Sequence, residues 1–340
     1  MKSGLVFSAL VALTVAACGD SDSSWTPDPL PVVIDENVVA VGPITGFGSV
    51  IVNGVTFGTT NATVTMDDEP GIESGLRLGM IVSVGGTIDA TTGEARASEI
   101  SFVDDVEGPV SGMDREAGSF VALGRTVFVD ELTVFEDATF DDIEDGHVVE
   151  VSGLWKHEQQ IQATFVRRVA FQFEEGMTIQ VKGEIADLNI GEQQFRIGTQ
   201  WCDYSAAMME LGGADIANGM YVQVTTTAMM QNNQMMADAV QARERNRDRN
   251  RLCDGECLFD LVGYVSAFES TEDFEVDGQA VIATQDTIYV NGTADTLALD
   301  VKVSIIGTIN DAGVLVADRI VFHLPSLVEI KGNVDGLDVE

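Results

Sequence analysis

The chain has 340 residues, with 18 Lys plus Arg against 55 Asp plus Glu, for a formal net charge of −37. Contacts to phosphate need basic surface, so this balance argues against nucleic acid as a partner. Apolar residues make up 45%, enough to bury cores, and four cysteines are too few for a disulfide-dense scaffold.

The N-terminus reads as a targeting segment. Lys2 is followed by an apolar run over residues 5–15, too short to span a bilayer, that ends in Val15-Ala16-Ala17-Cys18. This ending resembles a bacterial lipobox, in which small side chains precede a cysteine that is lipidated on sulfur and becomes the new terminus. Residues 1–17 are therefore expected to be a lipoprotein signal peptide, Cys18 the lipidated residue, and the lipid anchor the link to the membrane of the cell envelope. Gly19 rather than Asp after the cysteine leans toward the outer membrane. Residues 18–37, rich in Ser, Asp and Pro, read as a flexible tether.

The rest of the chain repeats. Four copies open with Gly42, Gly108, Gly183 and Gly263. Each carries an alternating apolar pair (Val82/Val84, Val149/Val151, Val222/Val224, Val303/Ile305) and then Ala-x-x-[Ile/Val] beginning at Ala97, Ala163, Ala237 and Ala317. The distance from opening Gly to Ala is 55, 55, 54 and 54 residues. The copies are expected at 38–105, 106–170, 177–257 and 258–325, with residues 326–340 a partial fifth copy, a closing strand, or part of a longer protein.

Within each copy the apolar period is two, the period of a strand. Asn53-Gly54 and Asp277-Gly278 between such runs mark two-residue hairpins, since both central residues need positive φ. Gly86, Gly153 and Gly307, two residues past the valine pair, suggest bulges. Helix is expected to be minor, with a turn or two over residues 206–211. The expected fold is all-β: about four tandem small antiparallel β-barrels strung like beads, since closing each sheet removes its edges. An open sandwich spread across copies is the competing architecture.

The block Leu76-Arg77-Leu78-Gly79-Met80-Ile81-Val82-Ser83-Val84-Gly85-Gly86, repeated closely from Ile143 to Gly153, resembles the bacterial domain of unknown function 5666. Thr226 replaces the final Gly in the third copy, and the fourth lacks the earlier Gly near Leu299. The resemblance implies a small barrel of the OB or SH3-like kind in envelope lipoproteins. It implies no activity and carries no catalytic motif.

Patterns that would carry chemistry are broken. His157-Glu158 lacks the second His of a zinc-protease helix, and Gly46-Phe47-Gly48 lacks both its third Gly and a βαβ context. His147, His157 and His323 lie in or beside strands and read as structural. The acidic runs Asp67-Asp68-Glu69 and Asp141-Asp142-Glu144-Asp145 read as solvated loops. The segment from Arg243 to Arg251 holds five of the 18 basic residues, as a solvated loop or as a contact to lipid headgroups or an acidic neighbour. Cys253 and Cys257, separated by Asp254-Gly255-Glu256, are expected to form a disulfide, with Cys202 a reduced core thiol at the position that Leu132 holds in the second copy. Two functions remain. The first is a non-catalytic envelope lipoprotein whose barrels act as binding or spacer modules, with an envelope protein as partner and no cofactor. The alternative is a soft-metal, copper-binding protein using Cys202, Met229, Met230, Met235 and Met236 of the third copy.

Overall fold

The computed structural model describes residues 36–157, 160–230, 234–243, 249, 251–252 and 257–323. The chain is all-β. The first copy holds β1 (Glu36–Gly46), β2 (Val50–Val52), β3 (Val55–Gly58), β4 (Thr63–Met66), β5 (Glu69–Pro70), β6 (Ile81–Ile88) and β7 (Ala95–Phe102). The second holds β8 (Val106–Asp114), β9 (Ser119–Ala122), β10 (Arg125–Phe128), β11 (Val134–Glu136), β12 (Val148–Trp155) and β13 (Ile161–Ala170). The third holds β14 (Ile179–Asn189), β15 (Gln194–Ile197), β16 (Gln200–Asp203), β17 (Met208–Glu210), β18 (Tyr221–Thr226), β19 (Gln234–Met236) and β20 (Ala239–Ala242). The fourth holds β21 (Leu258–Ser270), β22 (Asp273–Val276), β23 (Gln279–Val290), β24 (Lys302–Ile309) and β25 (Leu315–Phe322).

Each copy closes into a small barrel. In the first, β1 pairs with β2, β2 with β3, β6 with β1 and β7 with β6, all antiparallel. A parallel pairing of β3 with β7 completes the ring, and β4 lies alongside β7 in the same sense. The same ring recurs in the second copy (β8, β9, β10, β13, β12) and the fourth (β21, β22, β23, β25, β24). The antiparallel barrels thus carry one parallel seam each, which hydrophobic alternation does not encode.

The expected bulges are present. The ladder shifts register between Gly85 and Gly86, between Ser152 and Gly153, and between Ile306 and Gly307. A Cβ at Gly86, Gly153 or Gly307 would run into the backbone carbonyl of Arg96, Gln162 or Val316 on the last strand. In the third copy Thr226 stands there, and the last strand is instead broken into β19 and β20 around Ala237-Asp238. The missing Gly of the fourth copy is replaced by Asp300, which takes the same left-handed conformation (φ 61°) as Gly79, Gly146 and Gly219. Residues 206–211 do not form the expected helical turn: Met208–Glu210 is β17, held parallel to β20.

The opening glycines have a packing reason. A Cβ at Gly42, Gly108 or Gly263 would meet Asn53, Leu123 or Asp277, the first residue of the following hairpin turn folded back over the strand. At Gly183 the space is filled by Arg125 of the second copy, which donates to Lys182 O at 2.5 Å.

The barrels are not separate beads. β1 runs parallel to β21, joining copies one and four in a 12-stranded sheet, and β8 runs antiparallel to β14, joining copies two and three in a 13-stranded sheet. β1 is a shared wall: Val38 and Ala40 face the first core, whereas Val39 and Val41 pack with Phe259 and Leu261 in the fourth. The two fused pairs meet through Ile81, Leu154 and Val262, and Phe165 of the second copy enters the core of the first.

Candidate functional site: the four-copy junction

All four copies converge on one polar cavity of about 110 Å³. The first copy contributes Asp68, Ser83 and Ser101, and the connector to the second contributes Asp104 and Asp105. Trp155 comes from the second copy, Lys182, Tyr221 and Arg243 from the third, and Asp277 from the fourth, with Arg249 from the segment that joins the last two.

Charge is paired across the barrels. Lys182 is buried and its Nζ donates to Asp104 O and Oδ1, both at 2.8 Å, with Asp67 Oδ1 at 3.6 Å. Burial works against its charge, but Asp104 and Asp67 more than offset this and hold its pKa above the usual lysine range. Gln180 Nε2 donates to both Asp104 oxygens, Gln223 Nε2 to Gln180 Oε1, and Arg243 Nε to Gln223 Oε1. Arg243 reaches Asp68 at 2.5 Å, Arg249 reaches Asp277 at 2.5 Å, and Arg251 reaches Glu99 at 2.5 Å. Asp277 Oδ1 also accepts from Trp155 N at 2.7 Å.

Carboxylates remain in excess. Asp105 accepts only neutral donors, Gly153 N at 2.8 Å and Trp155 Nε1 at 2.7 Å; burial and the nearby Asp277 push its pKa up to about 7. Asp67 is raised to about 6 by burial and Asp104. On the outer face of the second barrel, Glu107 lies across from Glu150, which pairs with Arg167. Both glutamates are raised to about 7, by burial first and then by surrounding carboxylates, with Arg167 opposing. Among the described residues no group of three or more His, Cys, Asp or Glu is arranged to hold a metal ion.

The model of the family described as Domain of unknown function (DUF5666) matches residues 40–101, 107–167 and 262–321. The chain belongs to this family. No curated protein and no solved structure matches it. The third DUF5666-like copy lies between the matched stretches and repeats their strand order, with the split last strand as its departure.

The sulfur residues of this DUF5666 protein are placed as follows. Cys202 is a free, fully buried thiol whose pKa burial pushes up to about 12. It aligns with Val127, not with the exposed Leu132, because β16 is the counterpart of β10. Met235 is its register partner and is also buried, Met230 and Met236 are half-buried, and Met229 is exposed. The five candidate ligands are therefore divided between core and surface. Cys257 is disulfide-bonded. Cys253 lies outside the described residues, as do Cys18 and residues 326–340.

Two histidines serve local structure, His147 Nδ1 accepting from Glu144 N at 3.2 Å and His323 Nε2 meeting Ser304 Oγ at 2.6 Å, while the backbone N of His157 donates to Asp300 of the fourth copy. Of the acidic runs, Asp67 and Asp68 are not a solvated loop but the turn that meets Lys182 and Arg243. Arg243, Arg249 and Arg251 each pair with a carboxylate of another copy, Arg251 from a half-exposed position. A five-Arg run in a chain of net charge −37 was the available signal.

Proposed function

We propose that this protein is an envelope-anchored, non-catalytic lipoprotein whose four barrels form one rigid binding and spacing module. The observation that carries this reading is how the junction uses its charged groups. Lys182, Arg243 and Arg249 each bind a carboxylate from another copy or from a connector, so they serve as joints between barrels. Breaking a buried pair such as Lys182–Asp104 costs about 3–5 kcal/mol, which suits a body that must hold its shape at a distance from its anchor. Cys18 supplies the anchor, residues 18–37 the tether, and an envelope protein is the partner.

Cys18→Ser in the native host tests the anchor. The variant is expected to leave the membrane fraction, either as a soluble periplasmic protein or as an unprocessed precursor. A variant that is cleaved normally and stays membrane-bound places the anchor elsewhere and ends this reading. Crosslinking the wild-type protein in intact envelopes then identifies the partner.

A further inference from the structure

The junction cavity contains two features that inter-barrel joinery does not account for. The first is a pair of serines. Ser83 on β6 and Ser101 on β7 are cross-strand partners, only 9% and 7% exposed, and both line the cavity. Among the described residues neither hydroxyl makes a hydrogen bond. Both side chains line the cavity, so two neighbouring hydroxyls are free to donate to and accept from a molecule that enters it. The second barrel has Glu150 and Arg167 at the matching positions, and these bind each other. In the first barrel two short side chains leave that space open.

The second feature is a charge without a partner. Four carboxylates, Asp68, Asp104, Asp105 and Asp277, line the cavity with three cations, Lys182, Arg243 and Arg249. Lys182 takes Asp104, Arg243 takes Asp68 and Arg249 takes Asp277. Asp105 is left with one neutral donor on each oxygen. An ionised carboxylate accepts about four hydrogen bonds in all, so it has capacity for a charged donor. We propose that the cavity binds a small primary ammonium compound, its charge on Asp105 and its remaining donors and acceptors on Ser83 and Ser101. The volume limits its size: cavities of about 150 Å³ accommodate a six-carbon ring, so about 110 Å³ suits a molecule smaller than that. The indole of Trp155 forms one wall. An anion is disfavoured, because every cation there is already matched.

This site does not depend on the lipid anchor, and its failure would leave the Cys18→Ser result unaffected. The test is calorimetric titration of the detergent-solubilised full chain with ethanolamine at pH 8, with acetate and tetramethylammonium as controls. Saturable one-site binding is expected for ethanolamine alone. Asp105→Asn, which keeps the size and an acceptor oxygen, should weaken binding about tenfold or more, the loss of one charge-assisted contact. Ser83→Ala with Ser101→Ala should weaken it while the circular dichroism stays that of the wild type. Absence of saturable binding, equal binding of acetate, or undiminished binding by Asp105→Asn would each overturn the assignment.

Discussion

Asp105, Glu107, Glu150 and Asp67 titrate far above ordinary carboxylates because the junction buries more negative charge than it neutralises. Asp260 joins them at about 7, through burial that its hydrogen bond from Asn53 only partly offsets. Their folded-state pKa values lie above the ordinary 3.8 of Asp and 4.5 of Glu, so the folded chain binds protons more tightly than the unfolded chain. Such groups destabilise the fold when ionised, and that cost fades as pH falls through about 7 and 6. His323 works the other way, its pKa lowered by burial and Lys302, but it is one group against five. Thermal unfolding at a series of pH values should therefore show stability rising from pH 8 to pH 5, and a melting temperature that falls over that interval would refute the account. None of this was legible in the sequence, where Asp67 read as part of a solvated loop and no motif set the other four carboxylates apart. Cys202 was also misplaced, against Leu132. Leu132 lies an odd number of residues past Val127, so the misalignment exchanged the two faces of the strand, and the exposed Leu132 against the buried Cys202 is its signature.

At the scale of elements the sequence was most informative, because each signal was a local backbone demand. Asn53-Gly54 and Asp277-Gly278 adopt the paired positive φ that their hairpins require. Gly86, Gly153 and Gly307 sit at register shifts. The exception is residues 206–211, where a helical turn was expected but pairing with β20 decided for strand, a tertiary contact overriding local preference. The bulge glycines give a sharp prediction. In Gly307→Val the new side chain meets the Val316 carbonyl, which is backbone held in the ladder with β23 and has no rotamer to move to. A loss of about 1–3 kcal/mol is expected in denaturant unfolding. The same substitution with no loss of stability would mean that the bulge is not a requirement of the barrel.

The whole-molecule arrangement could not be read from repeats alone, because nothing local states that the first copy fuses to the fourth. A trace was present. Val38-Val39-Ala40-Val41 is continuously apolar where a one-sided strand would alternate, as befits a strand buried on both faces. Leu258-Phe259 and Leu261-Val262 in β21 show the same double character. Sharing β1 between two cores has a consequence that separates it from a string of beads. Ile305 is fully buried in the fourth core, which also holds Val39 and Val41. Ile305→Ala should cost about 2–5 kcal/mol. If β1 and β21 form one cooperative wall, amides of residues 38–41 should lose hydrogen-exchange protection along with those of the fourth barrel. The second barrel, joined to the fourth mainly through side chains at the junction, should be affected less. Exchange followed by mass spectrometry of peptides across 36–46, 106–128 and 258–270 reads this directly. Loss confined to the fourth barrel would restore independent beads. Loss spread evenly over all peptides would mean that the junction pairs make the four barrels a single folding unit.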